Sequence, residues 1–234
     1  MRCINLHFTL LTYLLVGSSW GASATTLRTS ALALCYSTAE YCAPVWARSP
    51  YTKLIDVQLN ESMHTVSGTL CPTPLPVLRH ITPPRIRRMA ATNQLLGKIR
   101  SSAVTLPLIS DIESHPEVRL TSRRQVWLDE PQQEEVSPWQ KWTEEWAASD
   151  VVNRSLIVDP SVAPPGFDLR RCMWSTLNHF RTGQGRCAAN LIRWNQALDP
   201  SCSCGACAKF PGGLSALHLA DEEAIAWLGM QSIR

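Results

Sequence analysis

Three cysteines near the C-terminal end of the chain have a spacing that could hold a metal ion. They are Cys202, Cys204 and Cys207. Thiolates placed this close together can converge on one zinc ion, which favours four sulfur or nitrogen ligands in tetrahedral geometry. His218 or Cys187 could supply the fourth ligand. Three free thiols in a loop would have the same sequence, and the spacing does not decide between the two interpretations.

The segment 181–186, Arg-Thr-Gly-Gln-Gly-Arg, is a second candidate site. Arg181 and Arg186 flank a glycine turn after a predicted helix, so their guanidinium groups and the backbone N–H groups could bind a phosphate. The segment lacks the Gly-Lys-Ser/Thr of a phosphate-binding P-loop, and we do not expect nucleotide hydrolysis. A turn that ends a helix and exposes two solvated arginines is an equally good interpretation.

Cations are concentrated on a helix predicted at residues 82–100. They are Arg85, Arg87, Arg88, Lys98 and Arg100. Further along the chain are Arg119, Arg123 and Arg124. Clustered arginine and lysine side chains bind phosphates and release counterions, so this helix is the best candidate for contacts with the backbone of RNA or DNA. The arrangement predicts no readout of base sequence, and ordinary solvated helix faces remain the alternative.

The sequence does not predict a catalytic site. It contains no Asp-Asp pair and no His-Glu-x-x-His motif. A two-metal polymerase or nuclease site needs separated carboxylates that converge on Mg²⁺. Carboxylates are abundant only at 129–150 and 221–223, where they are typical of an acidic linker and of a helix N-terminus. We therefore expect no catalytic residue and no small-molecule substrate.

Composition favours a folded protein with an uneven charge distribution. The chain has 234 residues, of which 45% are hydrophobic, and a net charge of +3. Residues 1–128 hold thirteen Lys and Arg against six Asp and Glu, whereas residues 129–234 hold nine against thirteen. A basic first half is compatible with a nucleic-acid partner. The nine cysteines are an odd number without a disulfide framework, which favours an intracellular location in the nucleus or cytoplasm.

Hydrophobic periodicity predicts a mainly α fold. Helices are predicted at 25–45, 49–68, 82–100, 168–180, 186–194 and 219–230, and a short one from 137 onward. In the first of these, Leu27, Ala31, Leu34, Cys35 and Cys42 are predicted to face inward, and Pro44 to end or kink the helix. The segment 71–76 is predicted to be extended because each residue before a proline is pushed out of helical geometry. We expect a small helical bundle, long irregular segments and a loosely packed C-terminal helical region.

A tryptophan stripe in the second half of the chain is predicted to serve packing. Trp139, Trp142 and Trp146 recur at helical spacing after Ser137-Pro138, a dipeptide that can start a helix. Such a stripe could also be a platform for a ligand, but large aromatic side chains on one helix face are more often core residues.

The runs 17–49 and 181–205 resemble the C-terminal region of reverse transcriptases from non-LTR, LINE-type retrotransposons. The resemblance implies a thumb-like helical bundle at 17–100, an irregular linker at 101–136, and a post-polymerase helical region at 137–234. It also implies a zinc knuckle near Cys202, whose central part with its histidine is missing here. It places the segment 181–186 near nucleic acid.

The same resemblance implies a fragment without the palm that carries polymerase chemistry. The expected function is therefore at most binding to an RNA or DNA backbone, without enzymatic activity. Residues 1–16 do not share the resemblance, and residues 1–24 are similar to a secretory signal peptide. This leaves two alternatives, a secreted helical protein and a gene-model relic without function. The apolar stretch is too short and too interrupted for a comfortable membrane span.

Overall fold

The computed structural model describes residues 21–41, 43–47, 49–69, 75–102, 107, 137–185, 188–195 and 210–232. The secondary-structure elements within these ranges are all helical, which confirms the predicted mainly α fold class. The predicted irregular linker at 101–136 lies outside the described residues except for residues 101, 102 and 107, and Ser101 is the last residue of a helix. Residues 1–20, with their signal-like segment, also lie outside the described residues.

The first helix contains a π-helical turn that changes which residues face the core. Helix α1 (Ala24–Ser30) is capped by Ser23, whose Oγ accepts a hydrogen bond from the Thr26 N–H at 3.3 Å. It continues as a π-helix over Ala31–Tyr36 and as α2 (Ser37–Glu40). A π turn holds one more residue than an α turn and so rotates the side chains that follow it. Leu34 is therefore 48% exposed, contrary to the prediction, whereas Tyr36 is fully buried.

The first predicted helix ends earlier than expected, and Pro44 is not the cause. The backbone leaves helical geometry at Tyr41, and a separate short helix, α3 (Ala43–Trp46), holds Pro44 in its first turn. Proline is well tolerated there because the N–H that it lacks would have no intrahelical partner. Cys42 lies outside the described residues.

Helix α4 (Thr52–Ser67) confirms the predicted second helix. Leu59, Met63 and Val66 are buried at helical spacing. Gly68 follows the helix with φ of 65°, a left-handed conformation that glycine adopts without a steric penalty. Gly68 therefore ends this helix, as the sequence predicted.

Two proline-started helices follow, of which only the second was expected. Helix α5 (Leu75–Arg79) includes Pro76, which the sequence pattern assigned to an extended linker. A proline near the start of a helix leaves no hydrogen bond unmade, so this sequence is compatible with a short helix. Helix α6 (Pro84–Ser101) begins at Pro84 as predicted and buries Ile86 and Leu96.

Two residues of the tryptophan stripe serve packing, as predicted, whereas the third, Trp139, is 43% exposed. Helix α7 (Pro138–Ala148) buries Trp142 and Trp146 in a cluster with Val77 and Ile86. The Trp146 Nε1–H donates to the carbonyl oxygen of Ile157 at 2.6 Å, so its polar atom is satisfied.

The C-terminal region has its own apolar cluster. Its helices are α8 (Arg171–Arg181), α9 (Ala188–Arg193), α10 (Gly213–Leu219) and α11 (Glu222–Ser232). The buried members of the cluster are Leu177, Phe210, Leu217, Ala224 and Leu228. The predicted final helix at 219–230 begins only at Glu222, because Leu219 ends α10, which was not predicted, and Ala220 with φ of 53° separates α10 from α11.

Helix α8 joins this region to the first bundle by capping the C-terminal end of α4. Arg171 donates from Nη1 to the Val66 carbonyl at 2.6 Å and from Nη2 to the Thr65 carbonyl. Ser175 Oγ donates to the Gly68 carbonyl at 2.9 Å. The attachment is thus closer than the loose packing that the sequence suggested, because the polar face of α8 satisfies carbonyls that α4 leaves without partners.

Replacing Gly68 by alanine should destabilise the protein by about 2 kcal/mol or more. The left-handed φ disfavours any Cβ, and a Cβ at Gly68 would lie 2.3 Å from Ser175 Oγ. Gly97→Ala is the matched control, because a Cβ there meets nothing within 4 Å and Gly97 lies inside α6. We expect it to stabilise by about 0.5–1 kcal/mol. Urea denaturation followed by circular dichroism measures both; a Gly68→Ala variant as stable as Gly97→Ala would contradict the capping geometry.

Candidate nucleic-acid interface

The basic helix α6 carries five cations and no carboxylate, but the fold divides these cations between interior and surface. Arg87 and Arg88 point towards neighbouring helices and are partly or fully covered. Arg85, Lys98 and Arg100 are exposed. The two groups therefore have different roles and are considered separately.

Arg87 connects α6 to α2 through a two-point ion pair. Its Nη2 lies 2.7 Å from Glu40 Oε2, and its Nε donates to Glu40 Oε1. The guanidinium carbon also lies 5.3 Å from the centre of the Tyr36 ring, a cation–π distance. The hydrogen bond that Arg87 donates to Glu40 raises the pKa of Arg87 despite its burial. Arg87 therefore stabilises the packing of α6 against α2 and the π-helical segment.

Arg88 lies in the interior, whereas the sequence pattern placed it on the solvated side of the helix. It is 6% exposed, and its Nη2 lies 2.8 Å from Asp56 Oδ2 on α4. Its guanidinium carbon is 5.5 Å from the centre of the Trp46 ring. The planar guanidinium suits this position because it pairs with a carboxylate at two points and stacks on an aromatic face.

Arg85, Lys98 and Arg100 form the exposed basic surface of α6. The Arg85 side chain is 61% exposed and forms an ion pair with Glu145 of α7. With helical geometry, Arg85 and Arg100 lie about 60° apart around the axis and about 22 Å apart along it, whereas Lys98 projects from a different side. The surface is therefore extended and sparse. Arg119, Arg123 and Arg124 lie outside the described residues.

Arg181 organises the interior of the C-terminal region and does not present its guanidinium to solvent as the glycine turn suggested. It is 3% exposed. Its Nε donates to His218 Nδ1 at 2.9 Å, and its Nη2 donates to the carbonyls of Pro165 at 2.6 Å and His218 at 3.0 Å. Arg186 lies outside the described residues.

The Arg181–His218 contact fixes the protonation state of the imidazole. Burial, followed by the nearby charge of Arg181, lowers the pKa of His218 to about 4. Burial lowers the pKa of Arg181 to about 9, so at neutral pH a charged guanidinium donates to a neutral ring. The Nδ1 of His218 is thus engaged by Arg181, which removes one of the two ring nitrogens from any role in binding zinc.

Of the candidate zinc ligands, only His218 lies within the described residues. Cys202, Cys204, Cys207 and Cys187 all lie outside the described residues. Within the described ranges, no group of three or more His, Cys, Asp and Glu side chains is arranged to hold a metal ion. The zinc site stays a prediction.

Two buried polar residues were missed by sequence reasoning. Arg171 caps α4, and Arg79 at the end of α5 is fully buried. Arg171 shares one helix face with Ser175 and Asn178. This pattern is visible in the sequence, but a polar helix face is ordinarily interpreted as exposed to solvent. No local pattern singles out Arg79.

Comparisons with protein-family models, with curated proteins and with solved structures returned no match for this chain. The resemblance to LINE-type reverse transcriptases therefore stays a prediction. Among the described helices, none combines the length and the apolar character needed to cross a membrane.

Double-mutant cycles should separate the interior arginines from the surface ones. We expect a coupling of about 1–3 kcal/mol for Arg88→Met with Asp56→Asn, because this pair is shielded from water. For Arg85→Met with Glu145→Gln we expect no more than about 0.5 kcal/mol, because solvent screens exposed pairs. The free energies of unfolding come from urea titrations. Equal couplings would contradict the division of α6 into an inner and an outer set.

The buried His218 should make stability depend on pH below neutrality. The unfolded chain, with an ordinary histidine pKa of 6.5, takes up a proton at His218 before the folded chain does. The free energy of unfolding should fall as the pH is lowered from about 6.5 towards 4, by at most about 1.4 kcal/mol per pH unit. His218→Gln, whose amide oxygen can still accept from Arg181, should flatten this slope. Urea titrations at successive pH values test this, and identical slopes for both proteins would refute it.

Proposed function

We propose that this chain binds the phosphate backbone of RNA or DNA through the exposed basic surface of α6, as a relative of the thumb region of LINE-type reverse transcriptases. The observation that carries the proposal is the composition of α6, which has five cations and no carboxylate over Pro84–Ser101. The proposal assigns no chemical reaction to the described residues.

The anchoring of α6 supports this proposal. The ion pairs of Arg87 with Glu40 and of Arg88 with Asp56 hold the helix against the bundle from its inner side. The outer side chains therefore project from a fixed helix, which lowers the entropy lost when they bind a polyanion. Lys98 and Arg100 also lie in the last turn of α6, where cations are stabilised by the helix dipole.

The geometry also sets the expected strength and type of binding. Three exposed cations can contact only a few phosphates, and Arg85 has Glu145 beside it. Each phosphate contact contributes about 0.9 to the slope of log K against log salt for duplex DNA. We expect weak, salt-sensitive binding with a slope magnitude of about 2–3 and no dependence on base sequence.

Replacing the outer cations should weaken this binding without unfolding the protein. We expect Arg85→Ala, Lys98→Ala and Arg100→Ala together to weaken binding to a primer–template duplex at least about tenfold at low salt and to remove most of the salt slope. Arg87 and Arg88 are left unchanged because their loss would disturb the fold. Fluorescence anisotropy over a salt series measures the effect, and circular dichroism checks the fold.

The control removes the same charge from other surfaces. Lys53, Arg154 and Arg193 are exposed and lie on α4, on the short turn at Arg154–Leu156 and on α9. Their combined replacement by alanine should leave most of the binding intact. Equal weakening by both triple variants, or no salt-dependent binding by the folded parent protein, would reject α6 as the interface.

A further inference from the structure

Arg79 is a fully buried arginine whose side chain has no hydrogen-bond acceptor. It is 0% exposed, and its Nε, Nη1 and Nη2 atoms all lack partners in the described part of the chain. This is unusual because a guanidinium has five N–H donors and keeps its charge at any physiological pH. A buried charge without a counter-charge is strongly destabilising, so native proteins pair such groups.

Within the described part of the chain, the surroundings of Arg79 include a second buried donor that lacks an acceptor. Tyr36 packs in one buried cluster with Ile81, which lies two residues after Arg79; Tyr36 is fully buried, and its hydroxyl lacks a hydrogen-bond partner among the described residues. Arg171 repels Arg79, and its own Nη1 and Nη2 donate to backbone carbonyls of α4. Burial and this repulsion hold the pKa of Arg79 well below its ordinary value.

Two carboxylates of the first bundle, Glu40 and Asp56, pair with other arginines. Glu40 pairs with Arg87, which covers the face of Tyr36, and Asp56 pairs with Arg88. Burial, followed by the nearby charge of Arg87, lowers the pKa of Arg28, and Arg28 donates from Nε to the His80 carbonyl at 2.9 Å. This part of the interior therefore has more positive than negative charge.

We infer that Arg79 and Tyr36 together bind one small monovalent anion, chloride, in the interior between α5 and the π-helical segment. The N–H groups of Arg79 and the O–H of Tyr36 are donors that need an acceptor, and a single negative charge neutralises the guanidinium of Arg79. A monatomic anion needs the least space among fully buried residues. Phosphate and sulfate are larger and carry more charge, and they would need several further donors. This inference is independent of nucleic-acid binding.

Thermal unfolding of the full chain in different sodium salts tests the inference. At constant ionic strength, replacing gluconate by chloride from about 5 to 500 mM should raise Tm saturably by about 5 °C, because an anion bound only by the folded state stabilises that state. Gluconate is too bulky to enter. Equal stabilisation by gluconate or sulfate would overturn the assignment.

Two variants locate the effect. Arg79→Met keeps much of the side-chain volume and removes the unpaired charge, so it should fold and should show no chloride dependence. Tyr36→Phe keeps the ring and removes one donor, so about tenfold more chloride should be needed for half of the Tm rise. Chloride dependence that is unchanged in both variants would overturn the inference.

If Arg79→Met does not fold, ³⁵Cl NMR of the wild-type protein can detect the bound ion directly. Chloride exchanging with the wild-type protein should broaden the ³⁵Cl NMR line, and bromide should displace it competitively. Tyr36→Phe should reduce the broadening at a given chloride concentration. A line width equal to that of buffer at protein concentrations where Tm depends on chloride would overturn binding at this site.

Discussion

The C-terminal end of α4 depends on donors from a helix that lies more than 100 residues further along the chain. The last carbonyls of any α-helix have no partners within the helix. Here the carbonyls of residues 65–68 accept from Arg171, Ser175, Asn178 and His179, at sequence separations of 105 to 111. Removing α8 would leave these buried oxygens unsatisfied. The first bundle and the C-terminal region are therefore coupled through hydrogen bonds as well as through apolar contacts.

Arginine supplies most of the polar connections inside this protein. Arg87 and Arg88 tie α6 to α2 and α4, Arg171 caps α4, and Arg181 joins α8 to α10. A guanidinium is suited to these positions because it donates in several directions and is less strongly hydrated than an ammonium group. Because these arginines are used inside the fold, fewer cations remain available to bind a polyanion. The basic character of the first half of the chain therefore overstates its exposed positive surface.

The proposed interface uses exposed cations of the first bundle, and the proposed anion site uses a buried one. On α6, Arg85, Lys98 and Arg100 are exposed, and Lys98 projects from a different side of the helix than the other two. On the inner side, arginines outnumber the carboxylates that pair with them, and Arg79 is the one left without an acceptor among the described residues. We expect substitution of the exposed cations to have little effect on the stability of the fold, and substitution of the buried, paired arginines to destabilise it.

The sequence by itself determined where the main helices lie. Local signals such as Pro84 and Gly68 set helix ends because they act on the backbone of their own residues. Only the tertiary structure decided which polar residues are buried. The stripe of Arg171, Ser175 and Asn178 has the pattern of a solvated face, and it is buried because the carbonyls of α4 meet it in space. The π turn likewise buried Tyr36 and exposed Leu34, since a register shift depends on packing that periodicity does not record.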